Sequence, residues 1–488
     1  MDRVDRRRFL SATLAGMAVV AFNPLGGTWV TAAEAAEGGP PGAVAVPDLD
    51  GELVVDPAAR AAAADDYGHL VSRTPVAVLR PGSVQDVVRL VRYANRHRIA
   101  VAMRGQGHST YGQAQVTAGV VIDSTTLDQV REIHSDRVVV DAGVTWFDLA
   151  TQTLARGFIP PVLTDYLDLS IGGTLAVGGI GGASGLYGLQ VDNVLELEVV
   201  TGEGRLVRCS PTRSRTLFES ALGGLGQSAV IVSATLTLLP APERARGYQL
   251  FYPDLDTYLD DQRRALAAGQ FSSLEGQAQP SAAGGWEYFV DAAVYYSGPG
   301  PDDAAVTSGL NFDAARTVVT DYSFADWIDR LRPTVEFLTG IGVWFLPHPW
   351  ANVFLPASRT AEVVSATLAD LTVADTGQGP VLLYPFRTGL VRHPFVQVPA
   401  EPEAFLFALL RTTVGPTTAE SQLAGNRELY ERTRDAGGKH YPAGSIPFTP
   451  RDWVDHFGRD YPALRAAKVR WDPKRVLTPG QGIFGRPR

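Results

Sequence analysis

Apolar residues recur along this chain at two spacings, one that suits a strand and one that suits a helical face. Val76 to Leu79 is a short apolar run that reads as a strand. Ser83-Val84-Gln85-Asp86 then offers a helix N-cap with an acid three residues on. Val84, Val87, Val88, Val91 and Ala94 share one helical face as far as about Arg96, and Ile99 to Met103 resumes a strand pattern. The opening is therefore β-α-β. Further β-rich runs at Val120–Asp123, Arg137–Asp141, Leu195–Val200 and Ala229–Leu238 are punctuated by Gly and Asp. Beyond Pro240-Ala241-Pro242 the segments lengthen and carry more aromatics, as in Tyr288–Tyr296 and Phe324–Phe337, which places a domain boundary near residue 243. The pattern predicts an α+β protein without a fixed-period repeat.

Two stretches fall outside this pattern. Pro40 to Asp56 is Pro/Gly-rich and aperiodic, and reads as a leader. At the start, Arg6-Arg7-Arg8-Phe9-Leu10 precedes an apolar run to Phe22 and an Ala-rich stretch ending in Ala33-Glu34-Ala35. That order of basic, apolar and small-residue regions is the pattern of an export signal over residues 1–36. The arginine pair followed by Phe-Leu resembles a twin-arginine signal, a route that carries folded proteins and suits a chain that loads a cofactor before leaving. The expected location is periplasmic or extracellular. The apolar run is shorter than the roughly 18 residues of a membrane span, so no stable membrane insertion is expected once the signal is gone.

Composition narrows the classes. The 488 residues suggest roughly three structural units, and 45% hydrophobic with 19% charged residues argues for a compact fold. With 43 Lys and Arg against 52 Asp and Glu, the formal charge of −9 leaves no general attraction for nucleic acid or anionic membranes. Cys209 stands alone, so neither an intramolecular disulfide nor a Cys-rich metal site is available. Asp291 and the histidines at 69, 97, 134, 348, 393, 440 and 456 show no metal-ligand spacing, and no metal site is expected. His348, between Pro347 and Pro349, reads as a rigid-turn residue. There is no Gly-x-Ser-x-Gly elbow to support a serine hydrolase.

Two glycine runs carry the candidate chemistry. Arg104-Gly105-Gln106-Gly107-His108-Ser109 continues through Gly112-Gln113 directly after a predicted strand, where glycine lets backbone N–H groups approach a phosphate. Thr110 interrupts any G-x-G-x-x-G, so this is not a Rossmann fingerprint. The second run leads from Thr164-Asp165-Tyr166 through Ser170-Ile171-Gly172-Gly173-Thr174-Leu175 into Gly178-Gly179-Ile180-Gly181-Gly182. Either run alone serves turn geometry as readily as ligand approach. Two of them about sixty residues apart favour a ligand.

These residues give the chain a family likeness. It resembles flavoproteins of the vanillyl-alcohol-oxidase type, and among them the cytokinin dehydrogenases, as a bacterial exported member, from Asp66-Tyr67-Gly68-His69 to the C-terminus. The likeness rests on the two runs above, on Gly223-Gly224-Leu225-Gly226-Gln227, on Pro347-His348-Pro349-Trp350-Ala351-Asn352, and on Trp471-Asp472-Pro473 through Leu477-Thr478-Pro479-Gly480-Gln481. It implies a leader over 37–70, a two-subdomain FAD-binding domain of the vanillyl-alcohol-oxidase (PCMH) type over 71–243, an α+β substrate cap over 244–450, and a C-terminal segment over 451–488 returning to the first domain.

The resemblance also implies roles. His108 matches the histidine bonded covalently to the flavin. Gly105, Gln106, Gly107, Ser109 and Gln113 match pyrophosphate and flavin contacts, as do Ser170, Ala176, Ile180 and Ile231 later in the chain and Tyr441, Thr478 and Gln481 near its end. Asp168 stands about where a related branch places a second flavin-linked cysteine, so one covalent link is expected. Asp165 matches a carboxylate that faces the flavin and accepts the substrate's amine N–H. A carboxylate in a partly dry pocket has the raised proton affinity for that work, although Asp165 would also serve to cap a turn. Glu275 matches a second carboxylate near the pocket entrance, and Trp350 and Asn352 match residues near the flavin and the substrate side chain. Pro442 stands where plant members usually have leucine, and Ala351 replaces a bulkier residue, which leaves the substrate open. The implied reaction oxidises the N6 side-chain amine of an isoprenoid adenine to an imine, which water splits to adenine and an aldehyde. Electrons would pass to a quinone-type acceptor or oxygen. An oxidase of another small amine, alcohol or sugar is the nearest rival, and a non-catalytic flavin-binding protein a further one.

Overall fold

The computed structural model describes residues 19–23, 26, 28–281, 284–377, 379–415 and 417–484. The arginine-led start of the expected export signal lies outside them. Residues Val19–Asn23 and Thr28–Thr31 form an antiparallel hairpin, joined by Val44–Ala45. Its Phe22 and Trp29 pack on His97 and Tyr93 of helix Val84–His97.

Strands Glu52–Val54, Ala77–Arg80, Val120–Asp123 and Val101–Arg104 lie side by side in that order in a four-stranded sheet. The last three run parallel, as the β-α-β opening requires. Helix Val84–His97 makes the crossover, and its buried Val87, Leu90, Val91 and Ala94 share a core with Val200, Val230 and Val232 of a second sheet. That five-stranded antiparallel sheet orders Leu206–Cys209, Val194–Thr201, Ala229–Thr237, Arg137–Asp141 and Val130–Ile133. The apolar helical stripe is thus covered by two sheets rather than one.

Two local readings are corrected here. The Ser83 side chain does not cap its helix; its hydroxyl donates to Asp50 Oδ2 at 2.6 Å. Asp86 instead turns inward, fully buried, and accepts the backbone N–H groups of Asp50, Gly51 and Gly82 at 2.8–2.9 Å. The aperiodic leader is therefore stitched to the domain and supplies the edge strand Glu52–Val54.

From Arg244 onward the chain builds an eight-stranded antiparallel sheet. Helices Leu255–Ala268, Thr360–Asp370 and Ala419–Asp435 contribute Tyr258, Val364 and Leu429 to the core on one of its faces. In strand Glu403–Leu409, Phe405, Phe407 and Leu409 join that core, while Ala404, Leu406 and Ala408 join the core shared with the first half. Burial on both faces explains why such strands read as unbroken apolar runs. The aromatic stretch Phe324–Phe337 divides into helices Phe324–Ile328 and Arg332–Gly340, with Asp329, Arg330 and Leu331 in the bend.

The C-terminal segment crosses back to the four-stranded sheet. Val101 N–H donates to Val476 at 2.7 Å, and Thr478 N–H donates to Val101 at 2.8 Å. A buried ion pair fixes this return: Lys468 Nζ lies 2.8 Å from Asp472, which also accepts the N–H groups of Val476 and Leu477. Breaking a buried pair strands one charge, at roughly 3–5 kcal/mol. Asp472→Asn should therefore lower the urea-unfolding stability of the whole protein by about that much. A loss below about 1 kcal/mol would show that Lys468 finds another partner.

Candidate active site

The glycine loop after strand Val101–Arg104 is anchored by one buried carboxylate. Asp66 accepts the Gly112 N–H at 2.7 Å, the Ser109 hydroxyl at 3.1 Å and the Gly68 N–H at 3.2 Å. Burial pushes Asp66 up to about 6, against the pull of these bonds. Gly107 sits at φ +70°, a conformation side chains resist, and a Cβ at Gly105 would overlap the Ser170 hydroxyl. Among the described residues no protein acceptor takes the N–H groups of Gln106 to Ser109.

The second glycine run closes against the first. Gly172 packs directly on Ala142, and the Tyr441 hydroxyl accepts the Gly179 N–H at 3.0 Å. Burial drives Tyr441 up to about 12, so it stays a neutral phenol. Gln113 Nε2 donates to Gly444 at 3.1 Å, and the Thr478 hydroxyl donates to Gly226 at 2.9 Å. Gly480 lies so close to the carbonyls of Gly112, Gln113 and Gln115 that no side chain fits there.

These segments surround one cavity of about 900 Å³. Gly105, Gln106, Gly107, His108, Ser109 and Gln113 line it together with Ser170, Ala176, Ile180, Ile231, Tyr441, Thr478 and Gln481. Asp165, Glu275, Trp350, Asn352 and Pro442 line it too. A glycine cradle with free amides on one side and apolar Ala176, Ile180 and Ile231 on another suits a cofactor that is part phosphate and part flat ring, as FAD is.

His108 is enclosed by aromatic rings. Tyr67 stacks on it at 4.0 Å and carries His348 on its other side at 4.1 Å, nearly parallel. Tyr166 and Trp350 close further sides at 4.8 and 5.4 Å. Burial pushes His108 down to about 3, so its imidazole is neutral at any working pH. His348 is more than the turn residue its prolines suggested. It is buried, held by Thr412 and the Trp344 carbonyl at 3.2 Å each, and forms one end of the stack.

A cluster of charge lines the same cavity, with Glu275 against Gly182 of the second glycine run. Sheet register sets Glu275 directly across from Asp291, and Gln249 across from Asp291 on the other side, in one row that lines the cavity. Asp165 arrives from the first half. Arg330, in the bend after helix Phe324–Ile328, donates through Nη2 to Asp165 Oδ1 at 3.0 Å and Glu275 Oε2 at 2.7 Å. Its guanidinium also lies over the Trp327 ring at 4.4 Å. The expected entrance position of Glu275 is corrected: the residue is 5% exposed, inside this cluster. Burial and the neighbouring Asp165 charge push Glu275 well above the usual carboxylate range, and burial raises Asp291 as well. Burial opposes the charge on Arg330, yet Glu275, Asp165 and Asp291 outweigh it and hold the guanidinium protonated. Asp168 stands outside the cluster, 3.6 Å from Arg332.

Sequence reasoning missed Arg330, Tyr67, Trp344 and Tyr384, and passed over Asp291. The opposition of Asp291 and Glu275 follows from a hairpin register that alternation alone leaves open. Arg330 lies 55 and 165 residues from its two partners, and no local signal points to it.

Comparison with known proteins follows the same division of the chain. The family described as FAD binding domain matches residues 75–210, and that described as "Cytokinin dehydrogenase 1, FAD and cytokinin binding" matches residues 278–484. An "uncharacterized oxidoreductase ORF5 in fasciation locus" of Rhodococcoides fascians is 40% identical over 416 residues, 85% of this chain and 95% of that protein. Cytokinin dehydrogenase 1 of Oryza sativa subsp. japonica is 35% identical over 93% of this chain and 96% of its own, and cytokinin dehydrogenase 6 of the same plant is 34% identical over 92% and 94%.

The raised carboxyl of Asp66 makes loop stability pH-dependent. A folded value near 6 against an ordinary 3.8 means the group helps the fold at low pH and loses about 3 kcal/mol as pH rises from 4 through 6. Asp66→Asn removes that term but gives up one accepted bond. The variant should melt below the parent at pH 4.5 and close most of the gap by pH 7.5. Parallel pH curves would contradict the assignment.

Proposed function

This chain belongs to the cytokinin dehydrogenase family and is an FAD-dependent oxidoreductase, and from that premise we propose that it cleaves the N6 side chain of isoprenoid adenines. The observation that carries the proposal is that Asp165 and Glu275, joined by Arg330, line the same cavity as the glycine loop that bears His108. When bound, FAD supplies the two-electron acceptor that takes a hydride from the carbon next to the amine. Asp165 accepts the amine N–H and takes its proton as the C–N bond gains double-bond character. Water then adds to the imine carbon, and the C–N bond breaks to give adenine and an aldehyde. Trp350 and the rings around His108 exclude bulk water from the reacting end, so the carboxylate's pull is not diluted by solvent.

The cofactor reading extends to a covalent bond. His108 is the residue proposed to carry the flavin, through an imidazole that the surrounding rings hold neutral and therefore nucleophilic. Gln106, Gly107 and Ser109 would hold the pyrophosphate with amides that have no acceptor among the described residues. Pro442 lines the cavity where plant members usually have leucine, whereas Ala351 lies in the sheet core away from it, and a difference of a methylene or two in such a pocket shifts preference by about 1–3 kcal/mol. Oxidation of another small amine is the second reading, favoured over an alcohol or sugar because three carboxylates face the cavity beside one guanidinium. Reduced flavin would be reoxidised by a quinone-type acceptor or oxygen. The arginine-led N-terminus supports export in the folded, cofactor-loaded state.

Incubating the holoenzyme and a quinone with isopentenyladenine should release adenine and the matching aldehyde in equal amounts. Asp165→Asn should slow product formation about 10²- to 10⁴-fold with flavin still bound. His108→Ala should give protein whose yellow colour leaves on acid precipitation, while the parent's colour stays in the pellet. Full activity in the Asp165 variant would remove it from the reaction.

A further inference from the structure

The eight-stranded sheet builds a repulsion into the cavity wall. Glu275 and Asp291 are direct cross-strand partners, a pairing in which like charges destabilise a sheet. Asp165 brings a third carboxylate against them. Among the described residues lining the cavity, Arg330 is the only arginine or lysine. It meets the acids through one nitrogen: Nη2 donates to both Asp165 and Glu275, while Nη1 reaches back to the Trp327 carbonyl at 3.4 Å. Stacking on Trp327, a fully buried anchor in its own segment, limits where the guanidinium can go.

Resting on the amine-oxidising reading above, we propose that Arg330 is a positioning residue: by donating from one nitrogen to both acids it ties Asp165 and Glu275 into one unit and holds Asp165 as the acceptor for the substrate N–H. Without the bridge the facing carboxylates lose the cation between them, and their repulsion is relieved by uptake of a proton; an Asp165 that carries one no longer accepts the substrate's. The remaining titratable side chains packed on the cluster are Tyr295 and Tyr384. Burial raises both, so they stay neutral and cannot replace the arginine. Lysine restores charge but offers a compact ammonium in place of a planar fork.

The test compares holoenzymes of the parent, Arg330→Gln and Arg330→Lys by infrared spectroscopy of protonated carboxyl groups and by the pH profile of isopentenyladenine oxidation. The Arg330→Gln variant should show one more protonated carboxyl at pH 7 than the parent. In that variant kcat should fall about 10- to 100-fold with KM changed less than about threefold, and the acid limb of kcat/KM should move up by about one pH unit or more. Arg330→Lys should keep the parent's acid limb with kcat lowered at least about fivefold. An Arg330→Gln enzyme with the parent's carboxyl signal and acid limb would overturn the proposal, even if its stability were lower. If that variant does not fold, an Arg330→Lys enzyme with the parent's kcat would do the same. If the parent itself does not oxidise isopentenyladenine, the substrate reading falls, and the infrared comparison alone decides the role of Arg330.

Discussion

One guanidinium set among three carboxylates connects the two halves of this molecule at the point where they face each other. Asp165 hangs from a loop of the glycine-rich half, Glu275 and Asp291 stand on the long antiparallel sheet, and Arg330 comes from the bend between two helices of the second half. None of the acids is well placed alone. Glu275 is buried opposite another acid, and a lone carboxylate there would be unfavourable by several kcal/mol. The arrangement persists because the charges are shared, and the shared cluster gives the cavity a polar patch beside its glycine runs.

The glycine wall is built by close approach. Gly105 against Ser170, Gly172 against Ala142 and Gly480 against the 112–115 backbone bring three distant stretches within contact where a single methyl group would part them. Asp66 and Tyr441 fix these stretches by accepting backbone N–H groups, and the Lys468–Asp472 pair pins the returning C-terminus. The amides without acceptors among the described residues belong to the same loop that carries His108. Rigidity is thus placed around the loop, with its donors kept for a bound group.

Much of this was legible in the chain. The helix Val84–His97 and the strands beside it follow from spacing, because the tertiary partners bury the faces that the spacing defines. The glycine runs and His108 could be singled out because few local structures need glycine so densely. What could not be read depends on distant partners. Asp86 looks like a capping acid until the leader's backbone reaches it. His348 looks like a turn residue until Tyr67 stacks on it. Arg330 is one of many arginines in the sequence, and only the folded bend sets it between Asp165 and Glu275.

The central claim is that the carboxylate cluster and the glycine-walled cavity serve a flavin that oxidises an amine. The most direct measurement is the visible spectrum of the purified holoenzyme under anaerobic conditions, before and after one equivalent of isopentenyladenine. The account predicts a yellow protein whose flavin absorbance bleaches on addition. A flavin that stays oxidised with isopentenyladenine and with other small amines would contradict it.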